Sequence, residues 1–241
     1  KVLITGATGG IGSSMVRMFT GQGAVIGIHY NENKTQAESL AWEVEAGGGQ
    51  AHCFQSNLLS PSGQGLIAEF VECFGRIDVL VNNAGAILGF EDFQELDQSA
   101  WGDTFRLNVE APFFLSQKAF VRMKTDGGGK IINISSIAAK YGGSPQSLHY
   151  GASKKALEAV TVGLAKAGAP HNILVNAVRG GFIDTPAQQR LSSQKDLKER
   201  IKLIPLQRAG KPEDIASLVV FLASGAGDFI TGEIMTVAGG D

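Results

Sequence analysis

Short runs rich in β-branched and aliphatic residues alternate along the whole chain with longer stretches of helical periodicity, and this alternation limits the fold more than any other feature. A strand, a helix and a second such strand pack as a βαβ unit, and repeating the unit builds a parallel sheet with helices on its faces. Strands are predicted at 2–5, 24–30, 51–55, 79–82, 130–135, 173–178 and 234–237, and helices at 10–20, 35–46, 62–74, 99–124, 150–169 and 212–223. No linker interrupts the rhythm, so residues 1–241 are expected to form one α/β domain. The loosely patterned stretch 186–206, rich in Gln, Lys and Arg, reads as an exposed helical pair or a small lid over a substrate. Glycine clusters at 47–49 and 127–129 follow predicted helices, where a left-handed cap favours glycine, and mark turns rather than domain boundaries.

Composition narrows the classes further. The chain carries 32 glycines without a collagen period, 44 % hydrophobic and only 18 % charged residues, so it is expected to bury a sizeable core rather than stay disordered. A net charge of −2 and no Lys/Arg-rich run argue against nucleic acid as the main partner. The two cysteines, Cys53 and Cys73, have no metal-ligand spacing to the four histidines and read as small apolar residues in a reducing compartment, with neither a disulfide nor a metal expected. No apolar stretch approaches the roughly 20 residues of a membrane span, and the chain opens on a strand-like run without a leader. A cytoplasmic protein without a membrane partner is expected.

The first strand runs straight into Gly6-Ala-Thr-Gly-Gly-Ile-Gly12 at the start of a helix. Glycines at such a turn let backbone N–H groups at the positive end of a helix approach a pyrophosphate closely, and Thr8 could donate a further hydrogen bond. An ordinary glycine-rich βα turn is the plain alternative. The spacing Thr5-Gly-x3-Gly-Ile-Gly12, followed after the fourth strand by Asn82-Asn-Ala-Gly85, resembles the short-chain dehydrogenase/reductase family. That resemblance implies a Rossmann-type doubly wound sheet of seven mainly parallel strands in the order 3-2-1-4-5-6-7.

Tyr150-Gly-Ala-Ser-Lys154 places a phenol and an ammonium on one face of a helix. Upstream, the strand Lys130-Ile-Ile-Asn-Ile-Ser-Ser136 ends in two hydroxyls, and parallel strands deliver ligand-facing residues at their carboxyl ends. Asn108 is an amide inside a long apolar helix, where a satisfied structural amide is the plain alternative. Asn108, Ser136, Tyr150 and Lys154 occur in the order and spacing of the family's catalytic tetrad, and the resemblance extends to the tail Ile230-Thr-Gly-Glu-Ile-Met-Thr-Val-Ala-Gly-Gly240. It implies hydride transfer between a nicotinamide and a ketone or secondary alcohol. Negative charge building on the carbonyl oxygen needs a proton donor, Tyr150, and a second hydrogen bond, which the resemblance assigns to Ser136 rather than to the competing Ser135. Lys154, with the oxidised nicotinamide, would lower the phenol pKa and hold the ribose hydroxyls. The Asn108 backbone would anchor a water.

The same resemblance assigns cofactor contacts to Gly6, Thr8, Gly9, Gly10, Ile11 and Gly12, to Tyr30 and Asn31 after the second strand, and to Asn57 and Leu58 at the adenine. Asn83, Ala84 and Gly85 follow, with Tyr150 and Lys154, and with Ile183 and Thr185 at the carboxamide. Tyr30 stands where NAD-selective relatives carry an Asp; its absence favours NADP(H) over NAD(H), although Gly9 replaces a frequent Arg and Glu32 adds negative charge nearby. Gly180-Gly181 replaces the family's usual Pro-Gly, which predicts a looser loop beside the nicotinamide. The overall resemblance is nearest to 3-oxoacyl-(acyl-carrier-protein) reductases, but Ala169-Pro-His-Asn172 offers only His171 where those enzymes carry a basic residue. A sugar or polyol dehydrogenase, or a non-catalytic dinucleotide sensor, are the alternatives. The substrate pocket is expected at Ile137, Tyr141, Gln146, Gly181, Phe182 and the lid. Phe105, Phe113, Phe114 and Leu164 leave apolar surface beyond one sheet contact, which predicts assembly, and the resemblance implies a homotetramer or homodimer.

Overall fold

Val2 and Ile4 bury on one face of the first strand and Leu3 on the other, the period-two pattern of a strand covered on both sides. The computed structural model describes residues 1–60, 65–191 and 194–241. Its seven strands are β1 (Val2–Ile4), β2 (Val25–Tyr30), β3 (Gln50–Gln55), β4 (Val79–Asn82), β5 (Gly129–Ser136), β6 (Ile173–Gly180) and β7 (Ile234–Val237). They form one sheet in the order β3-β2-β1-β4-β5-β6-β7, and all six pairings are parallel. This is the predicted order. It reverses direction between β1 and β4, so the crevice beyond their carboxyl ends is the expected ligand position for such a sheet.

Helices α1 (Gly10–Thr20), α2 (Lys34–Ala46) and α10 (Pro212–Ala223) cover one face, where Met15, Leu40 and Ile215 join Ile26, Ile28 and Val178 in a core. Helices α3 (Leu66–Phe74), α5 (Ala111–Thr125) and α7 (Leu148–Gly168) cover the other, with Phe70, Leu115 and Ala165 against Leu80, Ile131 and Val175. The start of the predicted helix 62–74 falls partly on residues 61–64, outside the described residues. Cys53 is half-buried but Cys73 is exposed, because it lies on the solvent side of α3; the expectation of two apolar cysteines fails for the second. Among the described residues no helix is long and apolar enough to cross a membrane, and no cluster of His, Cys, Asp and Glu could hold a metal ion.

The predicted helix 99–124 is not continuous. Helix α4 (Gln98–Phe105) passes through a π-helical turn, Arg106–Glu110, before α5 begins at Ala111. The turn places Asn108 at zero exposure. Sequence periodicity alone does not disclose it, since RLNVE contains no helix breaker. The region 186–206 forms the helical pair α8 (Pro186–Leu191) and α9 (Gln194–Lys202), and the four-residue α6 (Ala138–Tyr141) follows β5.

Candidate active site

A cleft of about 1140 Å³ runs across the carboxyl ends of the strands, from the glycine turn after β1 to the start of α7. At its first end, Gly6, Thr8, Gly9, Gly10, Ile11 and Gly12 form the wall. Helix α1 starts there with neither a side-chain cap nor an acidic residue in its first turn, so its leading N–H groups suit an anion. Gly12 is required sterically: a Cβ there would lie 2.4 Å from the Gly6 carbonyl oxygen. The turn is held from below by Asn83, whose Nδ2 donates to the carbonyls of Thr5 and Gly6 at 2.9 and 3.0 Å. Thr5 Oγ1 accepts from the N–H groups of Asn83 and Ala84, each at 2.9 Å.

His29 escaped the sequence reading. The Gly6 N–H donates to its Nδ1 at 3.0 Å and its Nε2 meets the Ser56 carbonyl at 3.0 Å, which fixes a neutral ring protonated on Nε2. Burial lowers its pKa from 6.5 to about 4, opposed by the Ser56 hydrogen bond. Because the folded pKa lies below the unfolded one, its contribution to stability is complete above pH 6.5 and is lost as pH falls toward 4, a span worth about 3 kcal/mol. Urea unfolding between pH 7 and 4 is therefore expected to show a shallower loss of stability in His29→Gln than in the unsubstituted protein; parallel curves would remove His29 as the source. Tyr30 is corrected by the same geometry. With 8 % exposure it packs in the core with Ile26 and Ile28, because alternate strand residues share a face, and His29, Asn31 and Glu32 line the cleft in its place. Asn57 and Leu58 line this end too.

At the other end Ser136, Tyr150 and Lys154 converge. Tyr150 shares a hydrogen bond with the Ser136 hydroxyl, and Ala138 N–H donates to Ser136 Oγ at 3.2 Å. Lys154 Nζ donates to the Ile134 carbonyl at 2.9 Å and stands 5.7 Å from the centroid of the Tyr150 ring. Asn108 lies behind them rather than on the cleft surface. Its Nδ2 donates to the Ala86 carbonyl at 2.8 Å and to Ser153 Oγ at 3.2 Å, and its Oδ1 accepts from Ala86 N–H at 3.2 Å. It thus joins the loop after β4 to α7. A Cβ on Gly85 would fall 2.7 Å from Asn108 Oδ1 and 2.8 Å from Lys154 Nζ, so any side chain there would fill the space beside the lysine.

Burial sets the charge states. It lowers Lys154 from 10.5 to about 8 and pushes the Tyr150 phenol above its usual value, opposed in part by the Ser136 bond. In the protein by itself desolvation of the phenolate outweighs the Ser136 bond; the lowering expected from the sequence belongs to the complex with the oxidised nicotinamide.

Ile183 and Thr185 also line the cleft, and Thr185 Oγ1 accepts from Gln188 N–H at 3.3 Å as α8 begins. Gly180 is an ordered end residue of β6, paired with Ser136 and Val237. A Cβ there would meet Ile215 at an ordinary 3.4 Å, whereas one on Gly181 would come within 2.6 Å of Ala238 Cα. Of the expected substrate-pocket residues, Ile137, Tyr141, Gly181 and Phe182 line the cleft and Gln146 does not; Gln146 belongs to the turn between α6 and α7. Leu88, Phe90, Arg200, Leu203 and Asp241 are also among the lining residues. Arg200 on α9 is salt-bridged to Asp241 across the mouth.

Fold and cleft together define a dinucleotide-binding oxidoreductase architecture. Residues 6–241 match a family model described as enoyl-(acyl carrier protein) reductase. The chain is 39 % identical to L-rhamnose 1-dehydrogenase (NAD(P)(+)) of Azotobacter vinelandii, over 99 % of this chain and 95 % of that protein. It is 35 % identical to 3-oxoacyl-(acyl-carrier-protein) reductase FabG of Thermotoga maritima, over 99 % and 96 %. The crystal structure of a blue fluorescent protein from a metagenomic library in complex with NADPH superposes with a TM-score of 0.93 at 34 % identity, over 99 % of this chain and 96 % of that one. The chain belongs to the short-chain dehydrogenase/reductase family, oxidoreductases that act on CH–OH or keto groups.

Proposed function

We propose that the protein reduces a small ketone, or oxidises the corresponding secondary alcohol, with NADP(H) preferred over NAD(H), Tyr150 acting as the general acid or base. The observation that carries this reading is the convergence of Ser136, Tyr150 and Lys154 at one end of the cleft whose other end is the glycine turn. The residues present suit a dinucleotide: an uncapped helix start for the pyrophosphate, and beside Lys154 a space that a Cβ on Gly85 would fill. When bound, the nicotinamide supplies or accepts the hydride. The chain does the rest. A phenol raised by burial holds its proton at neutral pH and can deliver it to a forming alkoxide, while the Ser136 hydroxyl gives that oxygen a second donor. Lys154, held by Ile134 with two further N–H groups to offer, would bind the ribose hydroxyls. Asn108 keeps the loop after β4 and α7 in register behind them.

The cofactor preference rests on the adenosine end of the cleft. β2 ends in Tyr30 and Asn31 rather than in the Asp that would repel a 2′-phosphate, although Glu32 lines the same end of the cleft, and the NADPH complex of the metagenomic protein favours the same reading. NADPH is expected to raise the melting temperature more than NADH at equal concentration, by mass action; equal shifts, or a larger one with NADH, would reverse the assignment. Oxidation and reduction of a panel of ketones, polyols and 3-oxoacyl thioesters, followed by nicotinamide absorbance, tests the reaction itself.

A second reading, a sugar or polyol dehydrogenase, is favoured by the Arg200–Asp241 pair in the cleft wall. Such a pair presents a donor and an acceptor to hydroxyl groups, which an acyl chain does not use. The rhamnose dehydrogenase relative points the same way. Assembly into a homodimer or homotetramer remains our proposal, with light scattering as its check.

A further inference from the structure

Tyr150, Lys154 and Glu158 recur every four residues on one face of α7, and all three engage the last residues of β5. Tyr150 meets Ser136, Lys154 bonds the Ile134 carbonyl, and Glu158 Oε1 accepts from Ser135 Oγ at 2.9 Å. The first two belong to the proposed reaction; Glu158 has no part in it. Yet its carboxylate is only 4 % exposed and carries a two-pronged bond from Arg179, Nε to Oε1 and Nη2 to Oε2, each 2.8 Å. Lys155 Nζ adds a third donor at 3.2 Å. Burial pushes the Glu158 carboxyl upward, but these hydrogen bonds outweigh it and keep the group ionised.

Arg179 gives the pair its reach. It is the β6 residue immediately before Gly180-Gly181, and its Nη1 donates to Thr236 Oγ1 on β7 at 3.3 Å. One carboxylate thus ties α7 to the end of β5 and, through the guanidinium, to β6 and β7 at the point where the chain enters the cleft wall. Two successive glycines there have little intrinsic stiffness, and space does not demand the first of them, since a Cβ on Gly180 would meet only Ile215 at 3.4 Å. The order of this loop comes from its anchors: the Gly180 carbonyl accepting from Ile137 N–H at 2.7 Å, Gly181 N–H donating to Val237 at 2.9 Å, and the fixed residue before them. An apolar pair of similar volume generally stabilises a fold as well as a buried ion pair does, so folding alone gives little reason for this one.

We propose that Glu158 and Arg179 are positioning residues that fix the Gly180-Gly181 loop and the Ser135-Ser136 strand end relative to Tyr150. This rests on the reaction proposed above. Glu158→Met/Arg179→Met, compared with the unsubstituted enzyme, is expected to keep its melting temperature within a few degrees and its KM for NADPH within about threefold. Its kcat should fall about tenfold or more, the scale that displacement of reacting groups by a fraction of an ångström produces. Arg179→Lys, which keeps the charge and loses the fork, should fall between the two. Undiminished kcat in the double variant, or a loss of kcat fully matched by loss of cofactor binding, overturns the proposal. If the double variant fails to fold, Arg179→Lys decides alone: reduced kcat at unchanged melting supports positioning and unchanged kcat refutes it. The emission of bound NADPH separates this claim from the reaction. It should shift in Arg179→Lys even if no carbonyl compound is turned over by the unsubstituted protein, and an unshifted emission counts against the positioning role whatever the outcome for catalysis.

Discussion

Tyr150→Phe is expected to lower carbonyl reduction by about 10³-fold, within the range that a positioned general acid contributes, and to leave NADPH affinity within about threefold. The phenol holds its proton because burial disfavours the phenolate, so at neutral pH the group stands ready to donate. Phenylalanine keeps the ring and its place 5.7 Å from the Lys154 ammonium while deleting the one atom that shares a hydrogen bond with Ser136. What remains at the forming alkoxide is a single hydroxyl donor. Single-turnover oxidation of bound NADPH, with the best carbonyl compound from the panel, is the direct measurement. A variant retaining more than a tenth of the turnover would remove Tyr150 from the acid role and direct attention to Ser136 and Lys154.

Lys154→Met is expected to abolish turnover and, at the same time, to stabilise the fold. Burial at 3 % exposure lowers the ammonium from 10.5 to about 8, so at pH 7 the native state holds a cation against a penalty of about 3 kcal/mol. Methionine fills the same volume without that penalty but leaves the Ile134 carbonyl without its donor, a loss of about 1 kcal/mol, for a net gain of about 2 kcal/mol. Between pH 8 and 10.5 the unfolded chain binds a proton that the native state does not, so the stability of the unsubstituted protein rises with pH across that window. The advantage of the variant should therefore shrink when urea unfolding is repeated at pH 10. A constant gap at both pH values would mean that desolvation of Lys154 is not its source. Opposed effects on stability and turnover are the mark of a group kept for chemistry rather than for folding.

The strands were legible to within about two residues, because runs such as Val79–Asn82 are short, apolar and bounded by turn residues, although β6 continues past the predicted end at 178 to Gly180. The glycine turn, the tetrad candidates and the loop after β4 were read in a different way, through the resemblance to the short-chain dehydrogenase/reductase family, whose motifs set residue type at fixed spacing. What escaped depends on contacts between distant segments. His29 looks like any strand residue until Gly6 and Ser56 are brought to its two nitrogens. Tyr30 is a case where a local signal was available. Ile26, Ile28 and Tyr30 alternate on one face, and that pattern assigns Tyr30 to the core and its neighbours to the cleft. Glu158 also left a trace, standing four residues beyond Lys154 as Lys154 stands four beyond Tyr150. Its partner Arg179 lies on another strand, and no spacing rule connects the two.

The π-helical turn at Arg106–Glu110 acts as a reading-frame adjustment written in backbone. Each residue of an α-helix advances by about 100°, so two surfaces that must face different partners have to agree on a residue count. Within the turn itself, Asn108 must meet Ala86 and Ser153; downstream, the Pro112 carbonyl and Ser116 hydroxyl must meet the buried amide of Asn82. The wider turn absorbs one residue between these demands, letting α5 pack on the sheet in one phase while the amide behind the cleft keeps another. A chain of this fold that lacks a single codon at this point must give up one of those two sets of contacts.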